Sequence, residues 1–152
     1  MNYWLFKSEP NTWGWADQIA RGAQGEHWDG VRNFLANKHM KQMRLGDKGF
    51  FYHSVNEKRI MGTVEIIKEH YPDHTDPKGR FGMVDIQALE TAAHHVTLAE
   101  IKAETRLAEM VLVNNSRLSV QPVSPREWKL VCKMAGLDPA RDKTNVAANA
   151  KS

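Results

Sequence analysis

With 152 residues, 41% apolar and 26% charged, the chain is long enough for one domain with a true hydrophobic core and too apolar to stay disordered. A formal charge of +3 and a pI near 9.0 permit a polyanionic partner without requiring one, because phosphate affinity depends on how Lys and Arg cluster rather than on their sum. There is no run of about 18 apolar residues and no basic-then-apolar leader, and the single cysteine, Cys132, has no partner for an internal disulfide, so a cytoplasmic setting is the expectation.

Tyr3-Trp4-Leu5-Phe6 predicts a strand that stops at Glu9-Pro10, because proline lacks an N–H and disfavours helix in the residue before it. Thr12 is a candidate cap for a short helix running to Arg21-Gly22. From Val31, the apolar positions Phe34, Leu35, Met40 and Met43 predict an amphipathic helix with Asn33 in its first turn and Gly46 beyond its end. Phe50-Phe51-Tyr52 and residues 60–67 predict buried strands joined through Asn56-Glu57-Lys58. Residues 71–82, carrying Pro72, Pro77 and Gly79, read as a long exposed loop, and Val84, Ile86 and Ala88 alternate with Asp85 and Gln87 in a further strand.

Two later helix starts are marked by chemistry. Thr97 with Glu100, and Ser124 with Glu127, have the spacing of capping boxes, in which a hydroxyl and a carboxylate satisfy amides that have no helical partner. Trp128, Val131, Cys132 and Ala135 share one face of the second helix, and Gly136 with Pro139 ends it. Residues 138–152 have no apolar period, which predicts a domain over 1–137 followed by a flexible tail. Separated strands with helices towards the ends fit an α+β domain on a curved or barrel-like sheet.

Four polar-aromatic stretches stand where these elements end: Lys7-Ser8-Glu9-Pro10, Trp28-Asp29-Gly30-Val31-Arg32-Asn33, Phe51-Tyr52-His53-Ser54 and Arg117-Leu118-Ser119-Val120-Gln121-Pro122. Element ends on a rigid scaffold present side chains to ligands, so convergence of the four on one pocket is the expectation. Trp28 precedes the turn signal Asp29-Gly30, which sets its indole at a helix lip where it can stack on a base; the competing reading is a core tryptophan, since five Trp in a small chain must mostly pack inside. Asn33 can read a base edge with its donors and acceptor, or it caps its own helix. Arg32 meets a phosphate or is solvated. Pro10 stiffens the strand exit and fixes the direction of the Ser8 hydroxyl, while Glu9 accepts from an exocyclic amine or pairs with Lys7 or Arg117. His53 and Ser54 supply an opposite wall, unless His53 is structural. Arg117, ahead of Ser119, is a candidate for a phosphate contact or an ion pair, and only a guanidinium gives either its planar fork.

Other constellations fail. His70 and His74 are four apart but Pro72 breaks the helix that would aim them together, His94-His95 lies elsewhere, and there is no cysteine pair, so no metal site or other cofactor is predicted. Cys132 sits on an apolar stripe, and neither a phosphate-cradling glycine loop nor a nucleophile elbow is present.

In this order and at these separations, the four stretches resemble the EVE domain, a PUA-like fold related to the YTH readers of methylated RNA. The likeness runs from Tyr3 to about Leu137. Two stretches depart from the pattern: Leu35-Ala36-Asn37-Lys38 stands where members often carry Gln-Ala-Arg-Asn, and Val55 separates Ser54 from Asn56. The resemblance implies a PUA-like α+β fold, with a curved mixed sheet or pseudo-barrel flanked by short helices, and a non-catalytic module that binds DNA or RNA through a flipped, modified base. On that reading Trp28 covers the base, Ser8, Asn33, His53 and Ser54 read its edge, Lys7, Arg32 and Arg117 hold the flanking backbone, and Glu9, Pro10 and Ser119 complete the rim. The alternative is a nucleobase-modifying hydrolase of the ASCH-like kind, with Lys7, Ser8 and Glu9 as a proton-transfer set. A third reading is a small-molecule or partner-protein module.

Overall fold

The computed structural model describes residues 1–146. In its six-stranded sheet the strand Tyr3–Ser8 (β1) lies between the parallel strand Lys48–His53 (β3) and the antiparallel strand Val120–Val123 (β6). Arg59–Pro72 (β4) pairs antiparallel with β3, Gly82–Thr91 (β5) with β4, and the two-residue strand Glu26–His27 (β2) with β5, giving the order β2-β5-β4-β3-β1-β6. The helices are Trp15–Ala20 (α1), Phe34–Gln42 (α2), Leu98–Ala103 (α3), Val111–Asn114 (α4) and Pro125–Ala135 (α5). This is the α+β architecture expected.

Both faces of the sheet are covered, which is why the central strands read as continuous apolar runs. In β1, Trp4 and Phe6 point to one core with Trp15, Trp28, Met40, Phe51 and Val64, while Leu5 points to another with Phe50, Tyr52, Val96, Ile101 and Trp128. Register carries the alternation across: Leu5 faces Phe50 and Phe6 faces Phe51. Trp128 fixes α5 on the second core, its ring stacked 4.7 Å from Tyr3 and tilted 4.2 Å from Phe50, with its indole N–H donating to Pro139 O at 3.1 Å.

Several boundaries move from where the sequence placed them. Gly14 rather than Thr12 precedes α1, with its N–H donating to Asp17 Oδ2 at 2.8 Å. α2 starts at Phe34, because Asn33 holds extended backbone and accepts from Ala36 N at 2.9 Å. β4 runs on to Pro72, which pairs with Gly82, so the loop between β4 and β5 is only residues 73–81. Register shifts along β4 let it bend, the source of the sheet's curvature. Both capping boxes form as expected at Thr97 and Ser124, and Gly136 closes α5 at φ +68° with Leu137 N donating to Cys132 O.

Within the stretch expected to be a flexible tail, Asp138 N donates to Glu90 Oε1 at 2.8 Å, Arg141 lies 3.7 Å from Glu90, and Lys143 N donates to Glu65 Oε1 at 2.9 Å. Residues 147–152 of that stretch lie outside the described residues. Cys132 is buried, and burial pushes its thiol up to about 12, which keeps it unreactive. Among the described residues no helix is long and apolar enough to cross a membrane.

Candidate functional site

Sheet curvature makes the site. β2 is the far edge strand from β1, yet the chain leaving it sets Trp28 edge-on against Phe6 of β1, ring centroids 5.3 Å apart, and against Phe51 of β3 at 5.6 Å. Trp28 N donates to Val84 O at 2.7 Å, which ties this crossing to β5. Between the end of β1 and the exit of β2 lies a cavity of about 430 Å³ walled by residues 7–9, 12–13, 26–32 and Ser119, within the usual range for a small-ligand site. The turn after β1 folds back over one wall: Thr12 N and Trp13 N both donate to Glu9 O, and the Ser8 hydroxyl donates to Trp13 O.

The opposite lip is built around a buried carboxylate that sequence reasoning missed. Asp73 Oδ2 accepts from Gly30 N at 2.8 Å and from Arg32 Nη1 at 3.1 Å, and Oδ1 accepts from Thr75 N at 2.7 Å and Thr75 Oγ1 at 2.6 Å. Burial alone would raise this carboxyl, but the hydrogen bonds from Thr75, Gly30 and Arg32 outweigh it and hold it at about 2. The loop 73–81 is thereby stapled to the Trp28–Asn33 stretch, and Asp76 orders its far half by accepting from the N–H groups of Lys78, Arg80 and Phe81.

Three of the four stretches converge and one does not. Lys7, Ser8, Glu9, Trp28, Arg32 and Ser119 line the cavity. Trp28, however, is 8% exposed and belongs to the core, so it forms the cavity's floor rather than a free stacking face. The half-buried Trp13, held by its Nε1 donating to Gln18 Oε1 at 3.0 Å, supplies a second indole on the wall. Asn33 is spent as the cap of α2 and does not reach the cavity; Pro10 lies behind the turn. Arg32 is committed to Asp73, Val31 O and Thr75 Oγ1, which makes it a strut of the lip.

His53 and Ser54 fall outside this cavity. His53 is buried between Trp15 N, 3.0 Å from its Nε2, and Glu57 Oε1, 2.7 Å from its Nδ1, and faces a separate concavity of about 760 Å³. Both of its ring nitrogens are thereby engaged within the fold. Ser54 and Arg117 instead line an adjoining groove of about 560 Å³ that shares Lys7, Glu9 and Ser119 with the first cavity. Lys7, Lys58, Lys102 and Arg117 stand there against one carboxylate, Glu9. Lys7 Nζ donates to Ser116 O, and burial lowers its pKa. Among the described residues Arg117 is exposed and makes no ion pair.

His27 is a further wall residue that the sequence did not flag, Asp29 was read there only as part of a turn, and His74 of the neighbouring loop approaches both. His70, weighed with His74 as a pair, faces away and bonds Asn37 Oδ1 at 3.0 Å. Trp13 was legible only as one tryptophan among five; His74 was weighed only with His70, and Asp73 and His27 were not singled out, because the contacts that set the lip, Asp73 to Gly30 and Arg32 and His27 to His74, join residues more than forty positions apart.

The curled six-stranded sheet with a cavity between its first strand and its far edge defines a PUA-like α+β domain. Its backbone superposes on the MmI1 YTH domain with a TM-score of 0.59 at 13% identity, over 90% of this chain and 96% of that one, a likeness of fold alone. The chain belongs to the EVE domain family, whose model matches residues 2–134. It is 33% identical over 171 aligned residues to human thymocyte nuclear protein 1, covering 91% of this chain and 76% of that protein. Among solved structures, Rpa0253 from Rhodopseudomonas palustris is 57% identical with a TM-score of 0.85, covering 90% of this chain and 94% of that one. The human thymocyte protein, THYN1, solved in complex with 5-methylcytosine-containing DNA, superposes with a TM-score of 0.82 at 33% identity, covering 91% and 100%.

Proposed function

We propose that this chain is a reader of methylated bases in nucleic acid, taking a base out of its stack into the cavity between β1 and β2. The observation that carries the reading is that a relative 33% identical over nearly the whole chain was solved on 5-methylcytosine-containing DNA. The cavity supports it. Two indoles, Trp13 on the wall and Trp28 on the floor, offer apolar surface for a base and its methyl group, while Ser8, Glu9 and Ser119 line the polar part of the same cavity. The groove of Lys7, Lys58, Lys102 and Arg117 begins at the same rim and suits the flanking phosphates.

Magnitudes fit a modest selectivity. Unstacking a base costs a few kcal/mol, and one aromatic contact returns about 1–3 kcal/mol. Burying one methyl group adds about 0.8 kcal/mol, or roughly fourfold in affinity, unless shape exclusion contributes more. A hydrolase is disfavoured by the geometry: the Ser8 hydroxyl donates to Trp13 O, Lys7 Nζ donates to Ser116 O, and Glu9 is exposed, so the three do not form a proton-transfer chain.

The test is fluorescence anisotropy with short DNA and RNA oligonucleotides that carry one 5-methylcytosine or one cytosine, with mass spectrometry of the oligonucleotide afterwards. The expected result is tighter binding of the methylated strand, salt-dependent and without a mass change, and weakened in Trp13→Ala by about 1–3 kcal/mol. Equal affinity for both strands at every salt concentration, or a shifted product mass, overturns the reading.

A further inference from the structure

We infer that His27, Asp29 and His74 form a binding site for a divalent transition-metal ion of the zinc class at the outer lip of the cavity. Their ligand atoms all lie within 4.8 Å of one another. Asp29 Oδ2 sits between the two imidazoles, 3.7 Å from His27 Nε2 and 3.9 Å from His74 Nε2, and the rings meet edge to face at a centroid distance of 4.9 Å. Around a tetrahedral zinc with bonds of about 2.0–2.1 Å, ligand atoms stand roughly 3.3 Å apart. To close on an ion, the two Asp29–imidazole distances must shorten by about half an ångström and the distance between the imidazole donors by at most about 1.5 Å, which side chains this exposed can do by torsional changes.

Two features mark this as a built arrangement. Glu26 Oε1, which accepts from His27 N, also lies 3.4 Å from His27 Nδ1, so a carboxylate stands behind the ring while Nε2 is the nitrogen towards Asp29. That is the usual support of a metal-bound histidine. The Asp73 staple is the second: by holding Gly30 N at 2.8 Å, it brings together Asp29, which precedes Gly30, and His74, which follows Asp73. Two imidazoles and one carboxylate favour a borderline ion such as zinc or cobalt over magnesium or calcium, which prefer all-oxygen shells. Asp29 and His74 are both solvent-facing, at 40% and 58% side-chain exposure, which leaves room for a water or a ligand oxygen as fourth donor. The ion would clip the exit of β2 to loop 73–81, and this holds whether or not the cavity takes a base.

The test is a calorimetric titration of the untagged protein with zinc, and a parallel titration with cobalt followed by its ligand-field absorption. Saturation at one equivalent per chain is expected, with His74→Ala weakening it by at least about tenfold and Glu26→Gln by a smaller factor. A double His94→Ala, His95→Ala variant keeps the wild-type affinity, because that pair lies elsewhere in the fold, and magnesium in excess does not compete. His74 is exposed, so its replacement leaves the fold intact, which circular dichroism verifies. Titration that does not saturate at one equivalent, saturation unchanged in His74→Ala, or loss in the His94/His95 variant overturns the site.

Discussion

Replacing Asp73 by Asn removes one charge and turns one acceptor atom into a donor, inside a site where every neighbour donates. Oδ2 faces Gly30 N and Arg32 Nη1, and Oδ1 faces Thr75 N and Oγ1. The least costly placement of the new amide points its NH2 at Thr75, whose hydroxyl can rotate to accept; Thr75 N then has no acceptor, and Arg32 keeps only a neutral one. A buried unsatisfied donor costs about 1–3 kcal/mol, and weakening a charge-assisted bond adds to it, giving a loss of about 2–4 kcal/mol. Urea unfolding at neutral pH measures this as a lower midpoint at unchanged slope. The pH dependence gives an independent check. The folded carboxyl titrates at about 2, below the value near 3.9 of an unfolded aspartate, so its stabilisation is complete above about pH 4 and is lost as pH falls towards 2. The gap between wild type and Asp73→Asn should close over that interval. A loss below about 0.5 kcal/mol, or a gap constant across the acid range, would refute the role given to this carboxylate.

Trp28→Ala is expected to cost about 3–5 kcal/mol of stability because it empties core space against Phe6 and Phe51, so its oligonucleotide binding must be read together with a thermal melt. Unchanged stability would mean that Trp28 is not the floor described. Arg117→Ala should weaken binding of methylated and unmethylated strands alike and reduce the slope of log affinity against log salt by about one, with no change in melting temperature; an unchanged slope removes Arg117 from the phosphate groove. Gly62→Ala places a Cβ 2.4 Å from both the Trp15 ring and Glu90 O, so β4 must shift and unfolding should move to lower denaturant, a result that a variant as stable as wild type would contradict.

The shape of the fold was readable in particular residues. Thr97 with Glu100 and Ser124 with Glu127 set helix starts to the residue, because a capping box is satisfied within four positions and needs no distant partner. Asn33 carried two readings that local sequence could not separate, and the structure gave it the local one. The reach of β4 to Pro72 was missed since residues 68–72 have little apolar alternation, and pairing with Met83 and Gly82 supplies what propensity does not.

By itself the sequence determined those things that depend on near neighbours: strand and helix identity, the caps, an apolar content sufficient for two cores, and a family pattern spread over the chain in a fixed order. Only the tertiary structure decided which residues share the cavity. Bending of β4 carries the sheet's far edge back to β1, so Glu26, His27 and Trp28 meet Lys7 and Ser8 across four intervening strand pairings, and the buried charge of Asp73 then sets where the lip stands. Curvature accumulates over many residues, and an ion pair forty positions apart in sequence has no local trace, so neither is written in any short stretch of the chain.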